Sequence, residues 1–125
     1  MAIATKQSRI VWGGRIVLAL AFLAAGGSKL AGVAAMVEVF DRIGAGQGFR
    51  LVVGAIEIVG VALLLTPRTG LVGALWLGGT MVGAVGTHLF VIGGSPLPAI
   101  VLGVLCAFVA WRLWVDQGSL IAPRA

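Results

Sequence analysis

Charge is scarce in this chain of 125 residues: four Asp or Glu and nine Lys or Arg make up 10% of it, and tyrosine is absent. A soluble domain carries about 25% charged residues. With 60% of the chain apolar, a soluble monomer is excluded. Cys106 is the one cysteine, which rules out an intramolecular disulfide and a C-x-x-C dithiol relay. His88 is the one histidine, too few for a metal centre within one chain. Met81 lies seven residues before it on the same predicted helix, so the two cannot clamp a haem from opposite faces. A net charge of +5 would suggest nucleic acid in a soluble protein. On so apolar a chain the basic residues are topology signals, and nucleic-acid binding is excluded.

The longest gap in charge runs from Thr69 to Trp111, with no Asp, Glu, Lys or Arg. One helix of that length would be roughly 64 Å long, twice the hydrocarbon thickness, so the segment must fold back once. Gly93-Gly94-Ser95-Pro96-Leu97-Pro98 supplies the turn. The sequence therefore predicts four crossings, near 12–30, 47–66, 70–92 and 97–114, the second and third joined at Pro67-Arg68-Thr69-Gly70. Arg15, inside the first, is expected to snorkel towards the headgroups. Trp12, Trp111 and Trp114 fall at helix ends, where aromatic belts form, and Cys106 is expected to pack as a small apolar residue.

Between the first two crossings, Val33, Met36, Val37, Phe40 and Ile43 share one helical face while Glu38, Asp41 and Arg42 share the other. A helix over about 32–43 is too short to span, so it should lie in the interface and cover the bundle's end. Gly44-Ala45-Gly46-Gln47-Gly48 is its hinge into the second crossing. The expected fold is thus one all-α transmembrane domain over 1–125, a four-helix bundle with a short amphipathic interfacial helix. An alternative reads Lys6 to Gly26 as a signal peptide, which would leave three crossings. With four, both termini share a side with six of the nine basic residues (Lys6, Arg9, Arg15, Arg68, Arg112, Arg124), against Lys29, Arg42 and Arg50. That bias predicts cytoplasmic termini in a multi-pass protein of a bacterial-type cytoplasmic membrane.

Glu57 is the most informative residue. It lies seven residues from Arg50, about 10 Å along a helix and well inside the hydrocarbon, where a carboxylate must face the bundle and find a partner. Lys29 and His88 fall at similar depth in the outer half, so the three are the candidate ligand-binding or proton-linked pocket. A structural ion pair is the competing reading of the same residues. Gly54 and Gly60 flank Glu57 on one face, and Gly79 and Gly83 form a G-x-x-x-G with Gly86 one turn on. These five glycines are expected to serve helix packing.

Several of these features together resemble the DoxX-like family. They are Gly26-Gly27-Ser28-Lys29-Leu30 closing the first crossing, the G-x-x-E-x-x-G of Gly54, Glu57 and Gly60, the Pro67-Arg68 turn, and Gly83-Ala84 before His88-Leu89. The likeness covers about residues 13–114. It implies a four-helix membrane bundle in which Lys29, Glu57 and His88 match charged or polar family positions. Members include small subunits of thiosulfate:quinone oxidoreductases and a membrane partner of redox-defence enzymes; distant relatives act as cargo receptors or assembly chaperones. The resemblance thus implies a membrane subunit of a quinone-linked or redox-defence oxidoreductase assembly. No catalytic residue or cofactor signature stands out, so the chain is not expected to catalyse alone. A quinone is the candidate ligand, and the lipid bilayer, a soluble or membrane oxidoreductase and a second copy are the candidate partners. Two other readings compete. One is a proton-coupled small exporter, opposed by the missing tyrosine, the glutamate's place in the second crossing and the charge bias. The other is an assembly chaperone gripping client helices through its glycine faces.

Overall fold

The structure is a computed structural model that describes the backbone of residues 2–121 and the side chains of residues 9–117. Arg124 and the side chain of Lys6, both used in the charge count above, lie outside the described residues. Helices α1 (Ala2–Ala31), α2 (Ala34–Ile43), α3 (Gln47–Leu65), α4 (Gly70–Thr87) and α5 (Leu97–Ile121) follow in order. A 3-10 turn (Pro67–Thr69) links α3 to α4, and a π-helical turn (His88–Ile92) ends α4. Among the described residues there is no strand. Four stretches are long and apolar enough to cross a membrane: Arg9–Ala31, Gln47–Leu65, Pro67–Ile92 and Leu97–Gln117. Helices α1 and α5 run beyond the expected 12–30 and 97–114: no proline stands between Ala2 and Trp12 or between Trp114 and Ile121, and the single Gly118 does not end α5.

The four long helices form a ring in which α1 packs on α3, α3 on α4, α4 on α5 and α5 on α1. Leu18, Phe22, Leu64, Leu77, Cys106 and Val109 are sealed at its centre. The outside is apolar too: Leu20, Val82, Phe90, Val104 and Trp114 are all well exposed. This is the surface expected when the solvent is hydrocarbon, where backbone polar groups must be satisfied inside each helix and side chains need not hide.

Glycine decides how closely the helices approach. A Cβ on Gly26 would stand 3.1 Å from the carbonyl oxygen of Gly54, and a Cβ on Gly54 would stand 3.1 Å from that of Gly26. At Gly73 an added Cβ would fall on the backbone nitrogen of Leu64 and 2.6 Å from its Cα, so α3 and α4 touch main chain to side-chain-free main chain. Gly60 is a packing position as well, since its Cβ would meet Leu77 Cδ2 at 2.5 Å. The expectation for α4 needs correcting: a Cβ on Gly79, Gly83 or Gly86 meets nothing within 4 Å. The reason is angular. Gly73, Ala74, Leu77 and Met81 form the buried side of α4, and at 100° per residue Gly79 and Gly86 project from the opposite side and Gly83 from the flank that carries Thr87.

Arg15 also departs from expectation. Rather than reaching the headgroups it is 3% exposed, donating from Nε to the Leu64 carbonyl at 2.8 Å and from a terminal nitrogen to the Thr66 carbonyl at 3.1 Å. Its guanidinium lies 3.8 Å above the Trp12 ring. The last carbonyls of a helix have no partners within it, and those of Leu64 and Thr66 lie within reach of the Arg15 guanidinium. At the other end of the same helix pair, Arg50 donates to the Lys29 carbonyl near the end of α1 and to Gln47 at 2.7 Å. Antiparallel α1 and α3 therefore cap each other's C-terminal ends, each with one arginine.

Helix α2 lies against α3 and the π-helical turn. Phe40 is its one buried residue and meets Phe49 of α3 edge-on, centroids 5.7 Å apart. Gln47 ties the hinge back by donating to the Asp41 carboxylate (2.7 Å) and the Val37 carbonyl (3.0 Å). The turn at the far end of α4 has Gly93 and Gly94 at φ 73° and 79°, a region closed to most side chains. Ser95 Oγ then accepts the Leu97 N–H at 3.2 Å, starting α5.

Candidate functional site

A cavity of about 490 Å³ opens between α2, α3, α4 and the π-helical turn, with Lys29 of α1 at its edge. Its walls are largely apolar: Met36, Phe40 and Ile43 from α2, Phe49 and Ile56 from α3, Met81 from α4. The stripe that makes α2 amphipathic thus faces this space, and α2 covers it. Gly83 borders it too, and a Cβ there would meet nothing within 4 Å.

Lys29 Nζ and Glu57 Oε1 are 2.9 Å apart, with the two side chains 15% and 2% exposed. The glycines explain why this pair forms. Gly26 precedes Lys29 by three residues, and Gly54 precedes Glu57 by three. Positions i and i+3 share a helix face. In the antiparallel pair a Cβ on Gly54 would lie 3.0 Å from the Lys29 Cβ, and one on Gly26 would lie 3.2 Å from the Glu57 Cβ. Each glycine is therefore a seat for the stem of the other helix's charged side chain. Two G-x-x-[charge] motifs, read in opposite directions, bring the charges together below the apolar seam. Gly54 was legible as a packing residue; the matching role of Gly26 needed the register of the pair.

The ion pair satisfies one carboxylate oxygen. Glu57 Oε2 is buried and has no hydrogen-bond partner. A buried charged oxygen without a partner is costly, so this atom stores a demand for a donor beside the cavity.

His88 reaches the same cavity at the start of the π-helical turn, seven residues after Met81 and so still in its α-helical phase. Its Nδ1 lies 2.9 Å from the Gly93 carbonyl oxygen. A carbonyl can only accept, so Nδ1 donates, and the turn holds the imidazole in place. Two residues that sequence reasoning passed over, Thr80 and Thr87, also line the cavity. Both hydroxyls donate backwards along α4, Thr80 to the Leu77 carbonyl at 2.7 Å and Thr87 to the Gly83 carbonyl at 2.8 Å. The available signal was their spacing, seven residues apart and hence in one helical phase. Of the candidate residues, Lys29, Glu57, His88 and Gly83 meet at the cavity. Gly54 shapes it indirectly, Gly60 packs on α4, and Gly79 and Gly86 are outside it.

The profile of the DoxX-like family matches residues 15–112. The chain belongs to the DoxX-like family. The matched span takes in the four crossings' central segments and all of Lys29, Glu57 and His88. This DoxX-like chain matches no curated protein and no solved structure.

Proposed function

We propose that this DoxX-like protein is a small integral membrane subunit of a quinone-linked or redox-defence oxidoreductase assembly, without catalysis of its own, and that its cavity holds a quinone-type headgroup. The observation that carries the reading is the unpartnered Oε2 of Glu57 at the wall of a mostly apolar cavity of about 490 Å³. Binding sites for amphipathic small molecules combine these features: apolar walls, a few polar groups that fix orientation, and a volume of a few hundred Å³. A headgroup seated there would place its ring among Phe40, Phe49 and Ile56. An apolar tail could leave between helices whose outer surfaces already face lipid. The charge bias supports cytoplasmic termini, which puts the cavity towards the outer leaflet.

The test uses the purified full-length chain in mild detergent, titrated with a short-tailed 1,4-benzoquinone and with its hydroquinone. The expected result is saturable binding of at least one redox form, lost in Gly83→Leu. That substitution adds bulk to the cavity wall where nothing stands within 4 Å, so thermal stability should stay unchanged. No binding of either form to the wild type, or full binding by a folded Gly83→Leu, refutes the reading. Co-purification of an oxidoreductase from native membranes, identified by mass spectrometry, tests the assembly separately.

A further inference from the structure

The polar groups around the cavity have a common hydrogen-bonding sense. Thr80 and Thr87 spend their hydroxyl protons on backbone carbonyls, so each offers the cavity only lone pairs. His88 spends its Nδ1 proton on Gly93, and the Nε2 of that tautomer is an acceptor. Glu57 Oε2 is an acceptor by nature and is buried without a partner. Against these four, among the described residues, Lys29 is the one side chain lining the cavity with spare protons, and one of its three is directed at Glu57 Oε1. A wall so rich in acceptors suits a ligand that brings donors.

Resting on the quinone reading above, we propose that the cavity selects the reduced, hydroquinone form of its ligand over the oxidised quinone. A quinone carries two carbonyl oxygens and no donor. Placed against Glu57 it sets acceptor against acceptor and leaves Oε2 unmatched. A hydroquinone donates from each hydroxyl, so one O–H meets Oε2 while the same oxygen accepts from Lys29. Its second hydroxyl finds a lone pair on Thr80, Thr87 or His88. Sites that hydrogen-bond a ligand O–H discriminate strongly against analogues lacking it, because the site's own buried group is then stranded.

Both redox forms are titrated anaerobically into the purified full-length protein in mild detergent. The hydroquinone is expected to bind at least about tenfold more tightly than the quinone. For a two-electron couple, tenfold raises the midpoint potential of the bound ligand by about 30 mV, measurable independently by redox titration. Glu57→Gln, which replaces Oε2 or its neighbour with an amide donor, should abolish the preference. Thr87→Val leaves the ion pair intact and should reduce the preference severalfold, so it keeps the test decisive where Glu57→Gln does not fold. Equal or tighter quinone binding, or a preference unchanged in both variants, overturns the inference and leaves the quinone site standing. Failure of both redox forms to bind overturns the site reading and this inference together.

Discussion

Replacing Lys29 by Met should destabilise the bundle more than replacing Glu57 by Gln, although both remove the same ion pair. Removing one member of a buried pair costs about 3–5 kcal/mol, chiefly because the other charge is left buried and unmatched. The two orphans differ in what they can do next. Glu57 is 2% exposed and its short side chain is fixed against Gly26, so a carboxylate left by Lys29→Met has nowhere to go. That variant should lose ~4 kcal/mol, near the middle of the range. Lys29 is 15% exposed at the end of α1, and its flexible stem lets the ammonium swing out to the headgroups. Glu57→Gln should therefore lose only ~2 kcal/mol, below that range. The double variant carries neither charge. It should lose less than Lys29→Met alone, giving a coupling energy of about 2–3 kcal/mol between the two sites, large for residues in contact. Equilibrium unfolding of the four proteins in mixed micelles, followed by circular dichroism, measures the cycle. Additive losses, or a Lys29→Met variant no worse than Glu57→Gln, would refute the argument from burial and reach.

The glycines separate by the same kind of test. Gly73→Ala drives a methyl into the Leu64 backbone and should cost at least about 1–3 kcal/mol, while Gly79→Ala meets nothing and should be neutral in thermal stability; equal melting temperatures would count against the α3–α4 contact. Arg15→Met should weaken the bundle by about 1.5–3 kcal/mol, the value of charge-assisted bonds to the Leu64 and Thr66 carbonyls. Arg15→Lys should recover little of it, because an ammonium lacks the planar fork; full rescue by Lys would mean that charge alone matters. In a Cys106→Ala background, an impermeant thiol reagent added to intact cells should label Ser95→Cys, and protection of that site from outside would reverse the proposed orientation.

What the sequence alone determined was everything that depends on periodicity and on the cost of polar groups in lipid. A long chargeless segment with one Gly-Pro turn must cross twice. The i, i+3, i+4 stripe from Val33 to Phe40 must be a helix with one apolar face, and a lone mid-membrane Glu57 must point inward. These follow from one helix at a time. The tertiary structure decided what depends on two helices at once. It placed Arg15 on the end of α3, because which unsatisfied carbonyls lie within reach depends on the neighbour's register. It made Gly26 and Gly73 contact residues and left Gly79, Gly83 and Gly86 open, because a small residue is a contact only if its side of the helix meets another. The turn after α4 fixed the imidazole of His88 at the cavity wall through the Gly93 carbonyl. The hydrogen bonds of Thr80 and Thr87 turned the wall into a row of acceptors. The sign of a hydroxyl's offer depends on where its proton already points, and that is settled only by the folded backbone around it.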